Sequence, residues 1–169
     1  MADNLEEIYC PACGKKMEKI FMSAQGVNLD VCTQGCGGIF FDNREFKKFD
    51  ENAEDISPLT NALKDKEFIK VDSTEKRFCA NCGAPMVKNF ASAKKEIEID
   101  ECYTCGSKFL DYQELDKIRA QYETETDRAD DAVRQYYTDN KEAINAFDEK
   151  YMKQMGSQSL LSRIIQSKY

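Results

Sequence analysis

Apolar and polar positions fall into two short blocks of the same design. In the first, residues 16–22 predict a strand leaving a tight turn, and residues 23–26 predict a hairpin in which Gly26 can take a positive φ. Val27, Leu29 and Val31 then alternate with Asn28 and Asp30, the period-two pattern of a half-buried return strand. Ile39-Phe40-Phe41 predicts a third strand. Asp42 followed by Glu45 is a capping-box pattern, which predicts a helix over residues 43–52 with Phe46 and Phe49 on one face. The second block follows the same plan: a strand over 86–90, a turn over 91–94, and a return strand with Ile97 and Ile99 set between Glu96, Glu98 and Asp100. A third strand over 108–110 and a second box, Asp111 with Glu114, complete it, and a helix is expected over 112–122.

Between the blocks, Ser57-Pro58 predicts a helix start with Ser as N-cap, and the helix should run to about residue 66. Phe68-Ile69-Lys70-Val71 reads as strand-like. The stretch lacks Gly-rich or low-complexity composition, so it is expected to be an ordered connector. Beyond the second block, residues 124–127 interrupt the helix, with Thr126 or Asp127 capping a new one. Val133, Tyr137, Asn140, Ile144, Phe147 and Tyr151 then recur at alternating fours and threes. That stripe suits a coiled-coil seam or an amphipathic helix packed on the rest of the chain. Gly156 should end the helix, and Leu160, Leu161, Ile164 and Ile165 give the last segment an apolar face, either docked or a partner-binding peptide.

The cysteines change the picture from two small sheets to two metal sites. All eight fall inside the repeat, four in each block: Cys10, Cys13, Cys32 and Cys36, then Cys79, Cys82, Cys102 and Cys105. Each set is a C-x2-C pair, a hairpin, and a second pair. The first turn aims two sulfurs at one point and the hairpin brings two more opposite them, closing the tetrahedron of thiolates that zinc favours. One Zn2+ per block is expected, two per chain, each structural because four protein ligands leave no open position. Blocks of about forty residues are too small to rely on an apolar core alone, and structural zinc contributes about 10–16 kcal/mol in small metal-folded peptides. Met17 and Met86 read as core residues beside the metal. Gly37 and Gly38 let the backbone bend so that amides can hydrogen-bond the sulfur of Cys36.

The motif Cys10-Pro11-Ala12-Cys13-Gly14 with Met17, Cys32 and the run from Cys36 through Phe40, Asp42 and Glu45 resembles the bacterial transcription-factor-IIB-type zinc-ribbon family. The second block resembles it through Cys79-Ala80-Asn81-Cys82-Gly83, Met86, Cys102, Cys105-Gly106, Phe109, Asp111 and Glu114. Phe40 and Phe109 stand where the family tends to have Trp, and Arg44 and Gln113 where it tends to have Gly. The resemblance implies a three-stranded ribbon around zinc with a short helix after it. The expected fold is therefore a small, metal-stabilised α+β chain of two tandem four-cysteine zinc ribbons, each three-stranded, antiparallel and followed by a capped helix, plus a long C-terminal helical region. The segments are residues 8–54, 55–75, 76–122 and 123–169.

Charge and absent residue types narrow the function. The formal net charge is −7. Eight bound thiolates remove eight charges and two Zn2+ restore four, which places the metal-loaded chain near −11. That works against binding phosphate backbones, which needs clustered Lys and Arg. Lys15, Lys16, Lys19, Lys88, Lys94 and Lys95 could still give each ribbon a small basic face. With no histidine, His-based triads and metal sites are excluded. No phosphate-cradling or dinucleotide motif occurs, and every thiol is assigned to metal, so an enzyme with a small-molecule substrate is not expected. Residues 1–7 are polar and acidic without a signal-peptide pattern, and no apolar run suits a membrane span. This points to a reducing cytoplasm, where paired thiols bind metal instead of forming disulfides. The leading expectation is a zinc-binding adaptor that uses its helical tail for protein–protein interaction, homodimerisation included. A transcription-related factor contacting nucleic acid or polymerase is the alternative, and a one-electron carrier with iron in the thiolate sites, which would be coloured, is a third.

Overall fold

A computed structural model describes residues 6–154, and the chain divides into two compact units between Ala129 and Asp130. In the first unit, β1 (Glu18–Met22), β2 (Val27–Val31) and β3 (Ile39–Phe41) form one antiparallel ribbon. The second ribbon is built from β4 (Val87–Phe90), β5 (Glu98–Glu101) and β6 (Lys108–Leu110). The two are not separate. β3 pairs antiparallel with β6, Ile39 opposite Leu110 and Phe40 opposite Phe109, giving one six-stranded sheet in the order β1-β2-β3-β6-β5-β4.

Strand alternation sorts the side chains onto two faces. Leu29, Val31, Ile39, Phe41, Ile99 and Leu110 line one face, where they pack with Phe46, Phe49, Leu59, Leu115 and Ile118. Phe40 and Phe109 point to the other, among the cysteines, Met17 and Met86. The reading of both methionines as core residues beside the metal agrees with their burial.

After each third strand the chain departs from the expected capped helix. Following β3 it makes only a short 3-10 turn, Phe46–Lys48, although Phe46 and Phe49 are buried as the apolar spacing required. After β6 the helix α2 is shorter than expected, Glu114–Arg119. The cause lies two residues past the box start: Arg44 has φ 72° and Gln113 φ 67°, left-handed conformations that no helix can run through. One half of each box does form, with the Asp42 amide donating to Glu45 Oε2 at 2.9 Å and the Asp111 amide to Glu114 Oε2 at 2.8 Å. The aspartate carboxylates are used elsewhere, Asp42 by Asn81 and Asp111 by Arg77.

The connector helix α1 spans Ser57–Leu63, with Ser57 as its first residue and not its cap. Ile56 stands at the N-cap position, and the Asp55 carboxylate before it accepts from the Ser57 amide at 2.9 Å. Phe68 to Val71 does not join the sheet; the Ile69 amide donates to Gly35 O at 2.9 Å.

Helix α3 spans Glu125–Asp139. Its start is capped by Thr124, not Thr126 or Asp127: the Asp127 amide donates to Thr124 Oγ1 at 3.1 Å, and the Thr124 amide to Asp127 Oδ2 at 3.2 Å. In the second unit α3 ends and α4 (Lys141–Gln154) begins at a single residue, Asn140, which interrupts the heptad-like stripe. The Asn140 amide and Nδ2 both donate to Tyr136 O, while Asn140 O accepts from the Ile144 amide, so this residue closes one helix and opens the next. Of the stripe, Val133, Tyr137, Phe147 and Tyr151 are exposed. The expected features at Gly156, Leu160, Leu161, Ile164 and Ile165 lie outside the described residues.

Candidate metal centres

Each ribbon brings its own four cysteines together. Within each of the sets Cys10, Cys13, Cys32, Cys36 and Cys79, Cys82, Cys102, Cys105, all four sulfurs lie within 4.8 Å of one another. Cys10 and Cys36 approach to 3.4 Å, as do Cys13 and Cys32. In the second centre the corresponding pairs, Cys79 with Cys105 and Cys82 with Cys102, stand 3.5 Å apart. Tetrahedral zinc with bonds of about 2.3 Å sets its sulfurs about 3.8 Å apart, close to this spacing, and far from the bond length of a disulfide, about 2.05 Å. None of the eight forms a disulfide.

The backbone around the sulfurs is arranged for anionic ligands. The Cys10 sulfur is hydrogen-bonded by the Cys13 amide, the Cys32 sulfur by the Cys36 amide, and the Cys36 sulfur by the Gly38 amide. In the second centre the amides of Cys82 and Asn81 serve Cys79, that of Ala84 serves Cys82, and those of Cys105 and Thr104 serve Cys102. Such bonds stabilise thiolate charge and fix its direction, so the residues fit zinc.

Crowding four thiols without metal also divides their protons. Hydrogen bonds from Cys10 and Cys36 push the Cys32 thiol down to about 2, while bonds to Cys32 and Cys36, with burial, push Cys10 up. Burial opposes ionisation of Cys102, yet the Cys105 amide and the Cys82 thiol hold it down at about 7; burial raises Cys79 to about 12. Because zinc takes thiolates as ligands, binding to either centre releases protons.

Gly35, the additional residue in the second turn of the first centre, is required by close approach. A Cβ there would lie 2.5 Å from Cys32 Sγ and 2.7 Å from Cys13 Sγ.

Two buried arginines that the cysteine pattern did not reveal anchor the rest of the second copy, Arg77 beside its centre and Arg119 on the opposite face of the sheet. Arg77 occupies in the second ribbon the place of Ile8 in the first, and both are buried. Its guanidinium donates to Asp100 at 2.6 Å and to Asp111 at 3.0 Å, and sits 5.0 Å over the Phe109 ring. The repeat itself held this signal, a charge standing where the other copy has an apolar residue. Arg119 donates to Phe49 O at 2.7 Å, Asn52 O at 3.2 Å and Glu54 O at 2.7 Å, tying α2 of the second copy to the end of the first. Its signal was a basic residue on the buried side of α2, beside Leu115 and Ile118.

Residues 9–50 and 78–121, together just over half of the chain, match the transcription factor zinc-finger family, the zinc ribbon of the transcription-factor-IIB type. The chain belongs to this family. It carries two tandem copies of the zinc ribbon and binds two zinc ions through two four-cysteine centres. No curated protein and no solved structure matches it.

Proposed function

We propose that this zinc-ribbon protein is a non-enzymatic cytoplasmic adaptor, its two zinc centres holding a rigid sheet and its C-terminal helices supplying a surface for a protein partner. The observation that carries the reading is the helical unit. Among its described residues Val133, Tyr136, Tyr137, Phe147, Tyr151 and Met152 are exposed, and α3 buries no residue. Tyrosines with an apolar body and a polar edge suit a half-wet interface. Each such side chain, once covered, contributes about 1.5–3 kcal/mol. Four-thiolate centres leave zinc no open position for substrate, which supports a structural role. No described helix is long and apolar enough to cross a membrane.

The test is the double substitution Ile144→Asp with Phe147→Asp. It should abolish association, read by sedimentation of the pure chain and by affinity capture from native cytosol, while elemental analysis still finds two zinc ions. If the variant loses zinc, the helices belong to the folded core and not to a docking arm.

The alternative, a factor contacting nucleic acid, draws on the family's transcription factors. Its lysines are largely engaged within the chain: Lys16 with Glu7, Lys19 with Asp30, Lys88 with Asp100, and Lys94 with Gln121 O and the Tyr122 ring. Duplex DNA should therefore bind more weakly than about 1 μM at physiological salt, the ordinary non-specific range. Tighter, salt-sensitive binding in a titration would favour the alternative.

A further inference from the structure

The two centres share one ligand chemistry but not one degree of shelter. In the first, Cys10, Cys32 and Cys36 are buried and Cys13 is half-buried. The connector lies over its second turn: Ile69 donates to Gly35 O, and the Phe68 ring rests on Gly37 while pairing with Tyr112 at 4.5 Å between centroids. In the second centre Cys79 and Cys102 are buried and Cys105 is half-buried, but Cys82 is exposed. Its neighbours Asn81 and Gly83 are exposed, as are Tyr103 and Thr104 on the opposing turn. Where the first copy is followed by a connector that returns over its metal turn, the second is followed by α2 and α3.

We propose that the second centre is a site of oxidative thiol modification, with hydrogen peroxide as the oxidant and Cys82 as the reacting sulfur. As a zinc ligand that sulfur would be a thiolate, the nucleophilic form, and its exposure gives peroxide access to it. The Cys82 sulfur attacks one peroxide oxygen, the O–O bond breaks, and a sulfenic acid forms with loss of hydroxide. The Cys102 sulfur, 3.5 Å away, then attacks the Cys82 sulfur. The S–O bond breaks and a second hydroxide leaves. Two protons convert the hydroxides to water, so two thiolates and one peroxide become one disulfide and two waters. Only Cys79 and Cys105 would remain to hold a zinc ion, too few to retain it. The first centre reacts more slowly because three of its sulfurs are buried and the connector covers its second turn.

The experiment treats the full zinc-loaded chain with less than one equivalent of hydrogen peroxide, so that most modified molecules are hit once. A chromogenic chelator follows the metal, and mass spectrometry after alkylation locates the oxidised cysteines. The expected first product has oxidised Cys82 and Cys102, in about tenfold excess over any product at Cys10, Cys13, Cys32 or Cys36. Oxidation spread evenly over both centres, or starting in the first, overturns the proposal. Phe68→Ala opens the cover without touching a ligand, and should raise the share of product at the first centre. An unchanged share in that variant would overturn the assignment of the difference to shelter by the connector.

Discussion

At Arg44 and Gln113 the chain adopts a conformation that suits glycine, the residue the family tends to place there. With φ of 72° and 67°, each side chain sits in the left-handed region, which costs an L-residue about 1–2 kcal/mol. Neither position supplies a metal ligand. Arg44→Gly and Gln113→Gly should each stabilise the zinc-loaded chain by about 1 kcal/mol, less the extra freedom glycine gains in the unfolded state, and thermal unfolding would show a raised midpoint. An unchanged or lowered midpoint would mean that the side chains have contacts outweighing the strain. Gly35 is the opposite case, a glycine kept by space and not by φ. Its added methyl would press on Cys32 and Cys13 Sγ, so Gly35→Ala should weaken the first zinc site roughly 10–100-fold while sparing the second, as read by competition with a chelator.

Among the elements, the strands were legible because period-two alternation and the buried face agree: Leu29, Val31 and Ile99 lie where the pattern puts them. The ligand sets were legible because C-x2-C turns across a hairpin have few other uses. The helix after the first ribbon was misread because a capping box records hydrogen bonds and not φ; the Glu45 half forms while Arg44 prevents the helix. The junction of the ribbons was missed as well, although Ile39-Phe40-Phe41 is a continuous apolar run, the pattern of a strand covered on both faces. All three residues are buried. What holds α2 against the first copy is Arg119, whose guanidinium serves three carbonyls of residues 49–54. Arg119→Ala should destabilise the chain by about 3 kcal/mol, since buried acceptors lose charged donors. Arg119→Lys should recover only part, because an ammonium cannot reproduce the planar fork. Equal stability of the Lys and wild-type chains in denaturant titration would show that charge alone suffices.

On the scale of the whole molecule, the ligand sets and the sheet suggest different behaviour. Each zinc is held by cysteines of one ribbon only, which taken alone implies that losing one metal leaves the other site intact. The sheet is shared, however. β3 and β6 run through its middle, and Phe40 lies opposite Phe109 between the two centres. Val31, Ile39 and Phe41 of the first copy share one apolar cluster with Ile99 and Leu110 of the second. Unfolding one ribbon would expose the inner strand and half of both apolar faces of the other. Structural zinc contributes about 10–16 kcal/mol to small metal-folded peptides, as large as the roughly 5–15 kcal/mol of net stability typical of a domain, so its loss at one centre should reach the other. Cys82→Ser should accordingly lose the second zinc and also lower the affinity of the first, measured by competition with a chelator. The wild-type ribbons should melt in one calorimetric transition. Two resolved transitions, or a Cys82→Ser chain whose first site binds zinc as tightly as the wild type, would mean that the β3–β6 junction joins two independent ribbons and carries no cooperativity between them.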